Sequence, residues 1–129
     1  MYKIEKKTSG YLLTFAGNMD APEMQTWVKE SQQALADATA GFCVIIDMRT
    51  LAPLSAEAQA IMVQGQQLYQ KSGMKRSSVV VNNAVTAMQF KRLAKQSGIY
   101  LWERYFDGSQ PGALEAAIAW GRDGLDSDI

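Results

Sequence analysis

Histidine is absent from this 129-residue chain, cysteine occurs once, at Cys43, and proline three times. Without histidine there is no imidazole acid/base relay, no Cys–His nucleophile and no His-bearing zinc site. One thiol cannot form an internal disulfide, which suits a reducing compartment. Net charge is also missing: 13 Lys and Arg balance 13 Asp and Glu, unlike the basic excess of most nucleic-acid binders. No apolar run reaches the roughly 18 residues of a membrane span, and MYKIEKKTSG lacks the apolar stretch of a signal peptide. These absences predict a cytoplasmic single domain, large enough to bury roughly 68% of its unfolded-chain surface.

Hydrophobic periodicity supplies the elements. Residues 2–7 and 10–16 read as a hairpin turning at Ser9-Gly10, with Tyr2, Ile4 and Lys6 alternating and Tyr11, Leu13 and Phe15 on one face. Asp20, Pro22 and Glu23 form a helix-start signature, and Met24, Trp27, Val28, Ser31 and Leu35 give helix 21–39 a core stripe. Residues 42–46 are apolar on both faces, as in a covered central strand closed by Asp47. Helix 55–72 starts at the N-cap Ser55 and turns Ala58, Ile61, Met62, Gly65, Leu68 and Tyr69 into one arc, with Gly65 allowing close approach to the sheet. Strand 79–81, helix 84–97, an extended segment from Ile99 to Phe106 and helix 110–121 follow. Ser109 is expected to cap the last helix, with Leu114, Ala117 and Ile118 inward. Residues 1–122 form the expected domain and 123–129 an acidic, frayed tail. Strands alternating with helices predict an α/β fold, β-β-α-β-α-β-α-β-α, with a mixed, mostly parallel sheet.

Three stretches carry a family resemblance: Val44-Ile45-Ile46-Asp47-Met48-Arg49, Val79-Val80-Val81-Asn82-Asn83, and Phe90-Lys91-Arg92-Leu93-Ala94-Lys95-Gln96-Ser97-Gly98. With Phe106-Asp107-Gly108 and the Ala-rich helix ending in Trp120, the chain resembles SpoIIAA-like proteins, relatives of the STAS domains that include anti-sigma-factor antagonists. The resemblance implies a regulatory, protein-interaction module, with an Asp-Ser pair at the helix after the third strand whose serine is phosphorylated. Here Ser55 falls at the Asp position and Ala56 at the serine position. The usual phosphoacceptor is therefore missing. Ser55 reads either as a helix cap or as a shifted acceptor, within a partner surface of Ser55, Ala56 and Glu57.

No catalytic set assembles from the motifs: paired carboxylates, a GxSxG elbow and a Gly-rich phosphate loop are all lacking. The best enzyme reading joins Asp47 to Asn82 or Asn83, and a turn-capping role for Asp47 is the plainer one. No cofactor is expected. Charge placement says more than charge total. Residues 71–104 hold seven cations against Glu103 alone, a local net of +6, while residues 105–129 carry −4. Helix 84–97 concentrates the positive charge, with a core face of Thr86, Phe90, Leu93, Ala94 and Ser97. Val85, Met88, Lys91, Arg92 and Lys95 lie opposite. Such a face is either an ordinary solvated surface or a docking site for an anionic, apolar partner: an anionic membrane at its cytoplasmic side, an amphiphilic small molecule, or an acidic protein patch. Strand alternation predicts Tyr100, Trp102 and Arg104 on one side and Leu101, Glu103 and Tyr105 on the other. Seven methionines serve core filling or adaptable binding. The edge left by the first hairpin offers a route to a homodimer.

Overall fold

The computed structural model describes residues 1–124. Strands β1 (Tyr2–Lys7) and β2 (Gly10–Gly17) open the chain, followed by α1 (Ala21–Ala34), β3 (Cys43–Leu51), α2 (Ala56–Lys71), β4 (Arg76–Val81), α3 (Ala84–Ser97), β5 (Glu103–Asp107) and α4 (Ala113–Asp123). The fold is α/β. The five strands lie in sequence order, β1-β2-β3-β4-β5. Only the β1–β2 pair is antiparallel, in the register Tyr2↔Phe15, Ile4↔Leu13 and Lys6↔Tyr11 that the alternation predicts.

Each parallel crossover advances one position in the same direction. Right-handed connections therefore put α1, α2 and α3 on one side of the sheet. The main core lies there, joining Leu13, Phe15, Val44, Ile46 and Val79 to Trp27, Met62, Phe90 and Leu93. On the other side, among the described residues, α4 is the helix that covers Cys43, Ile45 and Val80, through Ala113 and Ala117. Asp20 caps α1 by accepting the Glu23 N–H at 3.0 Å, and Ser55 caps α2 by accepting the Ala58 N–H at 3.2 Å.

Several elements differ from their sequence expectation. The helix expected over 21–39 stops at Ala34. Its stripe ends with Leu35, and Ala36 and Ala38 turn back to Gln33 and Leu35 through short-range hydrogen bonds. Beyond Leu35 no large apolar side chain holds that stretch on the core. Asp47 does not close the third strand, which runs on to Leu51. A register shift between Thr14 and Ala16 lets both Met48 and Leu51 face inward.

The segment from Ile99 is not extended at its start. Gly98, at φ 95°, ends α3, Ile99 plugs the core, and Tyr100–Trp102 form a 3-10 turn closed by Trp102 N–H to Ile99 C=O at 3.1 Å. Strand alternation holds only from Glu103 onward. Ser109 does not cap the last helix: its N–H and hydroxyl both reach Asp107 Oδ1, at 3.0 and 2.7 Å, and Gly112 stands at the N-cap after Pro111. Ile118 is exposed rather than inward: among the described residues α4 packs on β3, β4 and β5, and Ile118 lies outside that contact. Asp123, expected in the tail, is the last residue of α4, and residues 125–129 lie outside the described part.

Candidate functional site

The basic face of α3 is held in place from the helix's N-terminal half. Asn83 caps the helix, its Oδ1 accepting the Val85 and Thr86 N–H groups at 2.9 and 3.1 Å. Thr86 Oγ1 donates to the Leu51 carbonyl at 3.2 Å. Gln89 accepts from Leu54 N–H at 2.8 Å and donates to the Leu54 carbonyl at 3.1 Å, which pins α3 to the loop after β3. Thr86, Phe90, Leu93, Ala94 and Ser97 are buried, the inner face that the 3.6-residue period predicts.

On the outer face Met88 is 70% exposed and Val85 54%. Lys91, Arg92 and Lys95 are exposed as well, and none of them forms an ion pair with a carboxylate among the described residues. Aromatic rings receive two of these cations. Lys91 Nζ lies 5.3 Å from the centroid of the Tyr105 ring and Lys95 Nζ lies 4.8 Å from that of Tyr100. Arg92 instead donates to Gln59 Oε1 on the first turn of α2. All five residues singled out in the sequence thus share one surface. Leu101 is 86% exposed on the 3-10 turn that follows α3, a position that a reading based on strand alternation misses.

Ser55, Ala56 and Glu57 are exposed at the start of α2. The Ser55 hydroxyl is occupied as a cap, and Gln59, one turn further on, also donates to the Leu54 carbonyl at 2.9 Å. Through Gln59, this end of α2 adjoins Arg92. The two candidate sets are neighbours, joined by one side-chain contact.

Asp47 and Asn83 do not converge. Asp47 follows Ile45 onto the α4 side of the sheet, where its carboxylate takes Arg49 Nε at 2.9 Å and Nη2 at 2.8 Å. That pairing holds the Asp47 carboxyl below its usual range, mainly by hydrogen bonding to the guanidinium. Asn83 spends its carbonyl oxygen on the α3 cap, on the opposite side.

Beside the basic face lies a carboxylate that sequence reading passed over. Glu103 begins β5 directly across from Ser77, points to the three-helix side, and accepts hydrogen bonds from Ser77 Oγ at 2.7 Å and from the Tyr105 hydroxyl. Desolvation dominates its environment and pushes its pKa up to about 7, against the lowering effect of both hydroxyls. The same burial, with the carboxylate next to it, raises Tyr105.

In comparisons with known proteins, no family model matches the sequence, and no curated protein or solved structure matches it either.

Proposed function

We propose that this chain is a non-enzymatic, SpoIIAA-like binding domain that docks peripherally on anionic, amphiphilic surfaces through the outer face of α3. One observation carries this reading: three cations without a carboxylate partner among the described residues stand beside exposed Val85 and Met88. On a merely solvated helix face, cations are commonly interleaved with acids at helical spacing and apolar side chains are few. Here α3 contains no acidic residue. Headgroup phosphates would satisfy Lys91, Arg92 and Lys95, while Val85 and Met88 reach the acyl boundary. No helix among the described residues is long and apolar enough to cross a membrane, so the contact would be superficial. In this reading the anionic surface is the cytoplasmic leaflet, and a single-chain anionic amphiphile is a ligand of the same chemistry.

Co-sedimentation with phosphatidylglycerol and phosphatidylcholine vesicles, at low and high salt, tests the proposal. Binding to the anionic vesicles alone, weakened by salt and by the combined K91E, R92E and K95E changes, is the expected result. Equal binding to both lipids, or a charge-reversed protein that binds as well as the original at low salt, overturns it.

A further inference from the structure

Beneath the α3 face sits a carboxylate with no cation of its own. Glu103 forms no ion pair among the described residues, and its two hydrogen-bond donors, Ser77 and Tyr105, are neutral hydroxyls. The cations nearest to this cluster are aimed elsewhere. Lys91 sits over the ring whose hydroxyl bonds Glu103, and Lys95 over Tyr100, the titratable residue of the adjoining 3-10 turn. Arg76 and Arg104, flanking the pair on β4 and β5, point to the other side of the sheet: Arg76 to the carbonyls of Gly121 and Arg122, Arg104 to the rings of Phe106 and Trp120. From α2, Lys71 is turned out to solvent.

We propose that the charge state of Glu103 regulates the α3 face by deciding whether Lys91 and Lys95 are displayed outward or drawn in. The proposal rests on that face being the docking surface. A neutral Glu103 carries no charge that calls for a cation, and both lysines stay on their rings with their ammonium groups open to an anionic partner. An ionised Glu103 is a half-buried charge held by two neutral hydroxyls and by no cation, and it draws in one that can reach it. Lys91 is one aromatic ring away, over Tyr105, while Lys95 lies over Tyr100 in the adjoining turn; both have flexible stems, and each one that turns inward subtracts a positive charge from the face. Binding to anionic surfaces therefore weakens as pH rises through neutrality, in the direction set by the raised titration of Glu103.

The lack of histidine sharpens the assignment. The side chain that ordinarily senses this pH range is missing from the whole chain. The N-terminal amine is engaged at 2.8 Å with Glu23, between β1 and α1, away from α3. Burial raises the Cys43 thiol, on the α4 side of the sheet.

The test uses the full chain, its E103Q and Y105F variants, and phosphatidylglycerol vesicles between about pH 5.5 and about pH 8.5, where the lipid phosphodiester stays ionised. The unmodified protein should lose roughly five-fold or more in affinity across that range. E103Q should bind with its acid-pH affinity throughout. Y105F keeps the ring under Lys91 but removes a hydroxyl that favours the ionised carboxylate, so its loss of binding should move to higher pH. In lipid-free protein, the NMR ring signals of Tyr100 and Tyr105 should shift with pH and stay fixed in E103Q. A pH profile shared by the unmodified protein and E103Q, or a flat profile for the unmodified protein, overturns the regulatory role. Failure to bind vesicles at every pH removes the docking reading and the regulation of docking with it. The ring signals then still decide whether the lysines follow Glu103, so the two failures are told apart.

Discussion

Gly65 lies directly under Trp27: a Cβ added to the glycine would stand 2.1 Å from Cζ3 of the indole. Trp27 in turn stacks on Tyr69 at 5.7 Å and meets the edge of Phe15 at 5.1 Å. The missing side chain of Gly65 therefore serves the α1–α2 contact and not, as the sequence suggests, approach of α2 to the sheet. Gly65→Ala must displace the ring or separate the helices. A loss of about 1–3 kcal/mol in unfolding free energy is expected, with a changed near-ultraviolet circular dichroism signal from Trp27. Unchanged denaturant midpoint and spectrum would contradict this packing.

Ser55 is a cap first. Ser55→Ala should cost about 1 kcal/mol in urea unfolding, because it orphans the Ala58 N–H. Vesicle affinity should not change, since the hydroxyl has no part in the α3 face. A large loss of binding at unchanged stability would place the docking surface at the start of α2 instead.

Acid should stabilise the fold at one position. Glu103 is raised from 4.5 to about 7 in the folded chain. Between those values the native state holds a proton that the unfolded state has released, so stability falls as pH rises across the window and levels off above it. At 1.36 kcal/mol per unit this amounts to about 3 kcal/mol, best read as the difference between the unmodified protein and E103Q. Asp47 acts in the opposite sense at lower pH: its contribution is present above the unfolded value of 3.8 and is lost as pH falls through its lowered folded value. A difference between the two proteins that stays constant from about pH 4.5 to about pH 7.5 would refute the assignment to Glu103.

Val85 and Met88 stand out from α3 without supporting it. Replacing both by serine should leave unfolding within about 0.5 kcal/mol of the original. Affinity for anionic vesicles should drop, and by a similar factor at low and high salt, because the lost contribution is apolar and not screened. A drop confined to low salt would mean that these side chains matter only through the lysines.

Much of this architecture is legible in the sequence wherever one period governs a whole element. The hairpin register, the caps at Asp20 and Ser55, and the inner and outer faces of α3 all follow from alternation or from 3- and 4-residue spacing. Reading fails where two periods meet. Tyr100–Trp102 carry aromatic residues that suit a strand, but Gly98 and the buried Ile99 bend the chain into a 3-10 turn, which throws Leu101 into solvent. Asp47 and Arg49 look like a strand terminus, whereas the pair neutralises itself and lets β3 continue. Glu103 was hidden for a different reason. A lone acid in a basic segment reads as surface charge, and only its pairing with Ser77 across the strands shows it turned inward.

The agreement of strand order with chain order bears on how the molecule comes together. Every strand pairs only with its immediate predecessor and successor, so no strand waits for a distant partner to be made. The sheet can grow as the polypeptide emerges, each crossover helix laying down the side on which the next strand docks. The helix α4 is the exception: it closes a side that β3, β4 and β5 leave bare until residues 113–123 have been made. Nascent chains arrested after β5 should then resist protease across α1, α2 and α3 while Cys43 remains open to thiol reagents, and release of α4 should close that access.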